Sequence, residues 1–408
     1  METAPLLFDL GKPKPTTRQI ADLVKAGGAD ALTEALRRAD AAKYQEVRCR
    51  SALNRVKGMP FEWTLNPYRG CTHGCHYCYA RRYHTQFELG ADDEFASIIF
   101  VKTNFVDVLR AELDKPSWTR EYIAFGTATD CYQPIEGHYK LTRRSLEALS
   151  EHRNPVGIIT KGPMIVRDKD VLSDLTRRTD CSVYISVPTV DEAAWRQLEP
   201  GTAHPLQRLR AVRELVDAGI RAGVLMNPIV PGISSKPAIL ERTVKAIADH
   251  GARFVGCNVM FLEGGTRDHF MRWLAQEYPQ LVEGYTHLYA RKYAPSDYRK
   301  EVSSVIGMLK AKYGLRSRAE SDADAGRPER EKAGEPPALP LTPNPYLYTA
   351  IASGSLEATS RGPAASSVIL SSTSMTRKAL ASFHRWLSGS LMRSSMMRFR
   401  KRAPNAML

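Results

Sequence analysis

Three of the chain's seven cysteines, Cys71, Cys75 and Cys78, stand close together in the stretch GCTHGCHYCYARRYH, residues 70–84. Cysteine thiolates are soft ligands, suited to zinc or to iron–sulfur clusters. A structural zinc site asks for four ligands, commonly two Cys pairs or Cys pairs joined by His. No second Cys-x-x-Cys occurs in the sequence, although His73, His76 or His84 could each complete a Cys₃His set. His73 and His76 lie inside the tight loop, where geometry would rarely let them reach the ion that all three thiolates bind. Most protein-held cubane clusters use four cysteines. Three leave one iron without a protein ligand, and that open corner is useful for chemistry.

Other polar residues collect where apolar runs stop. SIIFVKTN ends in Lys102, Thr103 and Asn104, YIAFGTATD in Thr127, Thr129 and Asp130, and VGIITKG in Thr160 and Lys161. VYISV carries Ser186, AGVLMNP ends in Asn227, and VGCNVM includes Asn258. The stretch TATDCYQPIEGHY gathers Asp130, Cys131, Tyr132 and Glu136 in one loop. Glu136 is expected either to contact substrate or to brace that loop. Cys181 and Cys257 fall within apolar runs and read as buried small hydrophobes, while Cys49 has no clear context.

The elements that must position these residues follow from the same runs. FEWTLN, SIIFVK, EYIAFG, VGIIT, SVYISV, AGVLMN and RFVGCNVMF read as strands. Between them lie amphipathic stretches such as NFVDVLRAEL, LTRRSLEALSEH, HPLQRLRAVRELVDAG and PAILERTVKAIADHG. Strands alternating with helices argue βαβ units and a parallel sheet, and six or seven units suggest a barrel or part of one. The strands show little in/out alternation, as expected of strands covered on both faces. In α/β barrels the loops after the strands converge on one rim, where sites are built. The cysteine stretch follows FEWTLN and would sit on that rim.

Composition bounds the rest. Three segments are expected: a helical lead-in over 1–58, the α/β body over 59–316, and a charged, Pro-rich linker and disordered tail over 317–408. Of the formal net charge of +14, eight charges lie from Arg377 onward, in a segment with no Asp or Glu. That basic tail can bind polyanions without reading sequence, and it can equally be a solvated appendage. No stretch approaches the ~20 apolar residues of a membrane span, and no export signal is visible. Few cysteines, odd in number, point to a reducing cytosol and a cytoplasmic protein.

The spacing C-x₃-C-x₂-C, with Tyr77 directly before the last cysteine, resembles the signature of the radical S-adenosylmethionine (SAM) superfamily. Over about residues 50–315, several further motifs resemble the spore photoproduct lyase-like branch, often labelled DNA repair photolyases, and most closely its actinobacterial members. They are NPYRGCTHGCHYCYAR, GTATDCYQPIEGHYKLTRRSLEAL, ITKGPMIVRDKDVL, ISVPTVDEAAWRQLEPGTAHPLQRLRAVRELVDAGI and MNPIVPGIS. The resemblance implies a partial (βα)₆-type TIM barrel in which Cys71, Cys75 and Cys78 hold a [4Fe–4S] cluster. SAM would chelate the fourth iron and be cleaved reductively to a 5′-deoxyadenosyl radical. Tyr77 would border the adenine, Lys102 would pair with the SAM carboxylate or else cap its strand, and Ser186 would meet ribose or adenine. Lys102 ends what reads as the second strand, where the superfamily usually carries a Gly-Gly-Glu that this chain lacks. Cys131 is the candidate for the hydrogen donor outside the cluster that the lyase needs. An external electron donor such as flavodoxin or ferredoxin is implied, and a DNA lesion as substrate by analogy. The competing readings are a zinc-stapled nucleic-acid-binding protein and a cluster protein that binds SAM without turnover.

Overall fold

The computed structural model describes residues 29–316, apart from residues 58, 60, 88 and 89. The expected linker and basic tail over 317–408, and the first part of the lead-in, lie outside the described residues. The chain opens with α1 (Ala29–Ala41), directly after the Gly-Gly of the lead-in, then β1 (Lys43–Val47), β2 (Leu53–Arg55), β3 (Trp63–Leu65) and β4 (Tyr68–Arg69). After the cysteine loop and a 3₁₀ segment over Tyr79–Phe87 come α2 (Asp93–Ser97), β5 (Ile98–Lys102), α3 (Phe105–Leu113) and β6 (Ile123–Phe125). Next are α4 (Glu136–Tyr139), α5 (Leu141–Glu151), β7 (Val156–Thr160), α6 (Lys169–Arg178) and β8 (Cys181–Ser186). The series continues with α7 (Glu192–Leu198), α8 (Pro205–Asp217), β9 (Ala222–Ile229), α9 (Pro237–Asp249) and β10 (Val255–Val259). It closes with α10 (Gly264–Glu277), α11 (Val282–Leu288) and α12 (Ser296–Lys312).

Seven strands form one sheet in the order β10-β9-β8-β7-β6-β3-β2. Six run parallel, from β3 through β10, and β2 joins β3 antiparallel at the edge. This is the six-strand βα series expected of a partial barrel. Alternate residues separate its two faces. Val156, Ile158, Val183, Ile185, Val224 and Met226 pack outward with Leu146, Leu149, Leu172, Leu175, Leu209, Leu215, Val244 and Ile247 of α5, α6, α8 and α9. Tyr184, Leu225 and Phe254 form a separate inward cluster, with Ile159 against it. Two apolar faces explain why these strands read as unbroken apolar runs.

Two expectations are corrected. SIIFVK forms β5, but β5 lies in a second, three-stranded sheet in the order β1-β5-β4, not among the parallel barrel strands. Its burial alternates along the strand, one face buried and the other only partly covered. The second parallel strand is therefore β6, so Lys102 does not end a barrel strand. The lead-in is likewise not separate, since β1 pairs with β5 and β2 pairs with β3.

Candidate active site

The cysteine loop leaves the C-terminal end of β3. Gly70 and Gly74 take left-handed backbone angles (φ 81° and 59°) that fold it tightly, and a Cβ on Gly70 would lie 2.4 Å from the Ile98 carbonyl. Short backbone bonds close the turn, Gly74 N to Cys71 O at 3.1 Å and Cys78 N to Cys75 O at 3.2 Å. The buried Arg81 guanidinium then binds four backbone carbonyls around the loop. It donates to Cys75 O (3.0 Å), Gly74 O (2.7 Å), Ala91 O (2.8 Å) and Asp92 O (2.8 Å). From the far side, Thr129 Oγ1 donates to Gly70 O at 2.6 Å, and Gln133 Oε1 accepts from Thr72 N at 3.2 Å. His76 N reaches Leu198 O at 3.1 Å, tying the loop to the end of α7.

Cys71 and Cys75 are buried and Cys78 is partly exposed, and none is in a disulfide. Each thiol lies within electrostatic reach of the other two. Burial raises the pKa of Cys75 and Cys78, while Lys161 pulls both the other way. Among the described residues no three His, Cys, Asp or Glu side chains are grouped to hold a single metal ion. A cubane makes a different demand, because its thiolates sit on separate irons. Three free thiols on one rigid turn, close to one another and with no fourth cysteine in the loop, fit a cluster with one open iron. Metal charge would also deprotonate such thiols outright.

The inner side of the sheet supplies the rest. One step beyond the inward cluster of Ile159, Tyr184 and Leu225, strand alternation turns Lys161, Ser186 and Asn227 to the same side. Lys161 Nζ donates to Ser186 Oγ at 3.3 Å, stands 3.9 Å from Glu199 Oε1, and lies 5.6 Å from the centre of the Tyr77 ring. Burial opposes its charge, but Cys75 and Glu199 outweigh it and hold its pKa above the ordinary lysine value. Glu199 is itself buried against Arg208, Oε2 to NH2 at 2.5 Å, and accepts a short hydrogen bond from the Tyr77 hydroxyl. Arg208 completes the network by donating to Ser186 O at 2.8 Å. The amide of Asn227 is buried with neither its nitrogen nor its oxygen paired.

Of the residues expected from sequence, Cys71, Cys75, Cys78, Tyr77 and Ser186 are brought together. Lys102 is not among them. Its ammonium donates to Asn66 O at 2.7 Å and sits over the Phe105 ring, which is the strand-capping alternative. Cys131 is fully buried in the outer core, its thiol 3.8 Å from Ile159 O. Glu136, also fully buried, accepts from the backbone N–H groups of Thr142 and Arg143 at the start of α5 and from the Tyr68 hydroxyl at 2.5 Å. These contacts are those of the bracing alternative: a carboxylate at a helix N-terminus satisfies orphan donors. Cys131 lies in the main core cluster, within electrostatic reach of Cys71. Lys161 was visible as a strand-end residue, but its role was not. Arg81, Glu199 and Arg208 carried no sequence signal, because only the fold brings their partners near.

A parallel α/β sheet with a three-thiol loop after its first parallel strand, and a partly buried lysine on its inner side, defines the class. The model of the radical SAM superfamily matches residues 65–243. The uncharacterized protein Rv2578c of Mycobacterium tuberculosis is 38% identical over 280 residues, which span 68% of this chain and 82% of that protein. A radical SAM Nalpha-GlyT isomerase of Pseudomonas phage M6 is 29% identical over 169 residues, 41% of this chain and 33% of that protein. Spore photoproduct lyase with bound AdoMet and dinucleoside spore photoproduct shares the fold, with a TM-score of 0.50 and 16% identity over 66% of this chain and 78% of that one. The chain belongs to the radical SAM superfamily.

Proposed function

We propose that Cys71, Cys75 and Cys78 hold a [4Fe–4S] cluster with one open iron and that the protein is an enzyme cleaving SAM there. The observation that carries this reading is the loop itself, three free thiols on a rigid turn with Lys161 facing them. When bound, the cluster and SAM supply a 5′-deoxyadenosyl radical by one-electron cleavage of a sulfonium C–S bond. The chain's own residues bind, orient and shield. Lys161, held charged, is suited to the SAM carboxylate, the role the sequence suggested for Lys102. Ser186 and Asn227 add hydrogen-bonding groups on the same side. Tyr77 anchors the loop to Glu199, and the apolar cluster of Tyr184, Leu225 and Phe254 keeps water from the inner sheet below.

The electron is taken to come from an external one-electron donor such as flavodoxin or ferredoxin. A nucleic-acid lesion is the first substrate class to try, since a protein of this fold is seen with a dinucleoside photoproduct. Hydrogen return from Cys131 is not part of the proposal, given its place in the core. The test is electron paramagnetic resonance of the reconstituted, dithionite-reduced protein before and after SAM. A cubane signal that changes on adding SAM is expected. A signal indifferent to SAM, or colourless protein holding one zinc, would defeat the reading. For the substrate, UV-irradiated DNA that is neither bound nor repaired in the presence of SAM and reductant removes that class.

A further inference from the structure

We propose that the basic surface around Tyr293, formed by Arg82, Lys292 and Arg299, is where a small acidic electron-carrier protein docks. Its task would be to reduce the cluster proposed above, and the inference rests on that reading.

The surface is built onto the turn of the third cysteine. In the first turn of α10, Thr266 Oγ1 donates to Cys78 O at 3.2 Å. Glu263, directly before α10, gathers cations from two sides. Arg82 NH1 stands 2.8 Å from its Oε2, and Lys292 Nζ stands 3.9 Å from its Oε1. The backbone fixes Lys292 there, because Leu262 N donates to Lys292 O at 2.8 Å and Phe261 forms an antiparallel bridge with Tyr293. Lys292 Nζ and the Arg299 guanidinium lie 5.2 and 5.7 Å from the centre of the Tyr293 ring. Aromatic rings lead back to the cysteines, Tyr293 to Phe261 at 5.7 Å and Phe261 to Tyr79, the residue after Cys78, at 6.1 Å.

The charge of this surface is one-sided. Residues 290–300 hold Arg291, Lys292, Arg299 and Lys300 against a single acid, Asp297. The side chains of Arg82 and Lys292 are 34% and 40% exposed, and Arg291 and Lys300 are exposed. Glu263 offsets one of these cations and leaves a net positive face beside Cys78. Electron-transfer encounters bury little surface, and complementary charge steers and orients such partners. A single-stranded nucleic acid would need ring faces open to its bases. Here Tyr293 already packs with two cations and Phe261, and Tyr83 has Arg82 5.0 Å from its ring centre. An acidic protein therefore fits better. In the step itself the reduced carrier loses one electron and the cluster gains it, and no bond is made or broken.

The test uses reconstituted full-length protein, wild type and Lys292→Glu/Arg299→Glu, with flavodoxin as the acidic carrier. Binding of oxidised flavodoxin is measured by calorimetry at low salt, independently of turnover. Formation of 5′-deoxyadenosine is then driven either by photoreduced flavodoxin or by dithionite, a small reductant that needs no docking. The variant is expected to bind flavodoxin about tenfold more weakly and to lose about tenfold in the flavodoxin-driven rate, at the low end of what charge steering supplies. Its dithionite-driven rate should stay near that of wild type, and added salt should shrink the difference in binding. Wild type that forms no product with dithionite defeats the reading beneath the inference, and flavodoxin binding then decides the surface alone. Equal flavodoxin binding by the two proteins overturns the inference. So does a variant that keeps flavodoxin and loses only a single-stranded oligonucleotide. If the double variant does not fold, Arg291→Glu/Lys300→Glu, at two exposed positions, is judged by the same outcomes.

Discussion

Lys161 Nζ lies 3.3 Å from Ser186 Oγ, joining the ends of adjacent parallel strands β7 and β8 on the inner side of the sheet. The lysine is partly buried there with one hydroxyl and one distant carboxylate for its three donors, within electrostatic reach of two of the three thiols. A carboxylate arriving with SAM would satisfy it. Hydrogen bonds to charged groups contribute about 1.5–3 kcal/mol, so Lys161→Met should weaken SAM binding about 10- to 100-fold. Titration calorimetry on reconstituted protein measures this. Lys102→Met, run beside it, should have much the smaller effect, and equal losses would contradict the assignment.

The Glu199–Arg208 pair is almost wholly removed from solvent, with side chains 2% and 0% exposed. Removing one partner of a buried pair leaves an uncompensated charge and costs about 3–5 kcal/mol. Glu199→Gln should therefore show a clear loss in urea unfolding, and the Tyr77 anchor of the cysteine loop should loosen with it. The double variant Glu199→Gln/Arg208→Met should be less destabilised than Glu199→Gln alone. A neutral Glu199→Gln would mean that the pair is open to water.

Glu136 and Cys131 are expected to matter for stability and not for chemistry. Glu136→Gln removes the charge that faces Arg167 at 3.2 Å and weakens the start of α5, at about 1–3 kcal/mol. Cys131→Ala deletes one buried sulfur from the core. Both should still form 5′-deoxyadenosine from SAM at near wild-type yield once folded and loaded. Loss of that product from folded, iron-replete Cys131→Ala would return the cysteine to the site.

Lys102 gives a prediction in pH. Burial lowers its pKa to about 8, from an ordinary lysine value of 10.5. Between those two values the unfolded chain binds the proton and the folded chain does not, so this group makes stability rise with pH there. Below about 8 both states are protonated, and the cost of burying the cation is present in full. The difference in unfolding free energy between wild type and Lys102→Met should thus move in favour of wild type from pH 8 to 10. A flat difference would show that the ammonium is solvated.

Much of this architecture is legible in the sequence, and the exceptions have physical causes. The strands of the parallel sheet announce themselves because both of their faces are apolar, and the cysteine spacing marks its loop without any help from the fold. β5 misleads because IIFVK is apolar on both faces up to Lys102, although only one face is fully buried. That single misplacement carried Lys102 into the site ahead of Lys161. Glu136 could not be separated from a catalytic acid by residue type, since the backbone N–H groups it caps leave no trace in the sequence. Arg81 and Arg208 read as surface cations until the carbonyls and carboxylate they bury against are brought to them.

The most direct measurement is the yield of 5′-deoxyadenosine after anaerobic reconstitution with iron and sulfide, dithionite reduction and addition of SAM. Wild type would be compared with Cys71→Ala/Cys75→Ala/Cys78→Ala. The account predicts a brown, oxygen-labile wild type that forms the product and a triple variant that holds no cluster and forms none. Equal yields from the two proteins, or a colourless wild type carrying one zinc and leaving SAM intact, would contradict it.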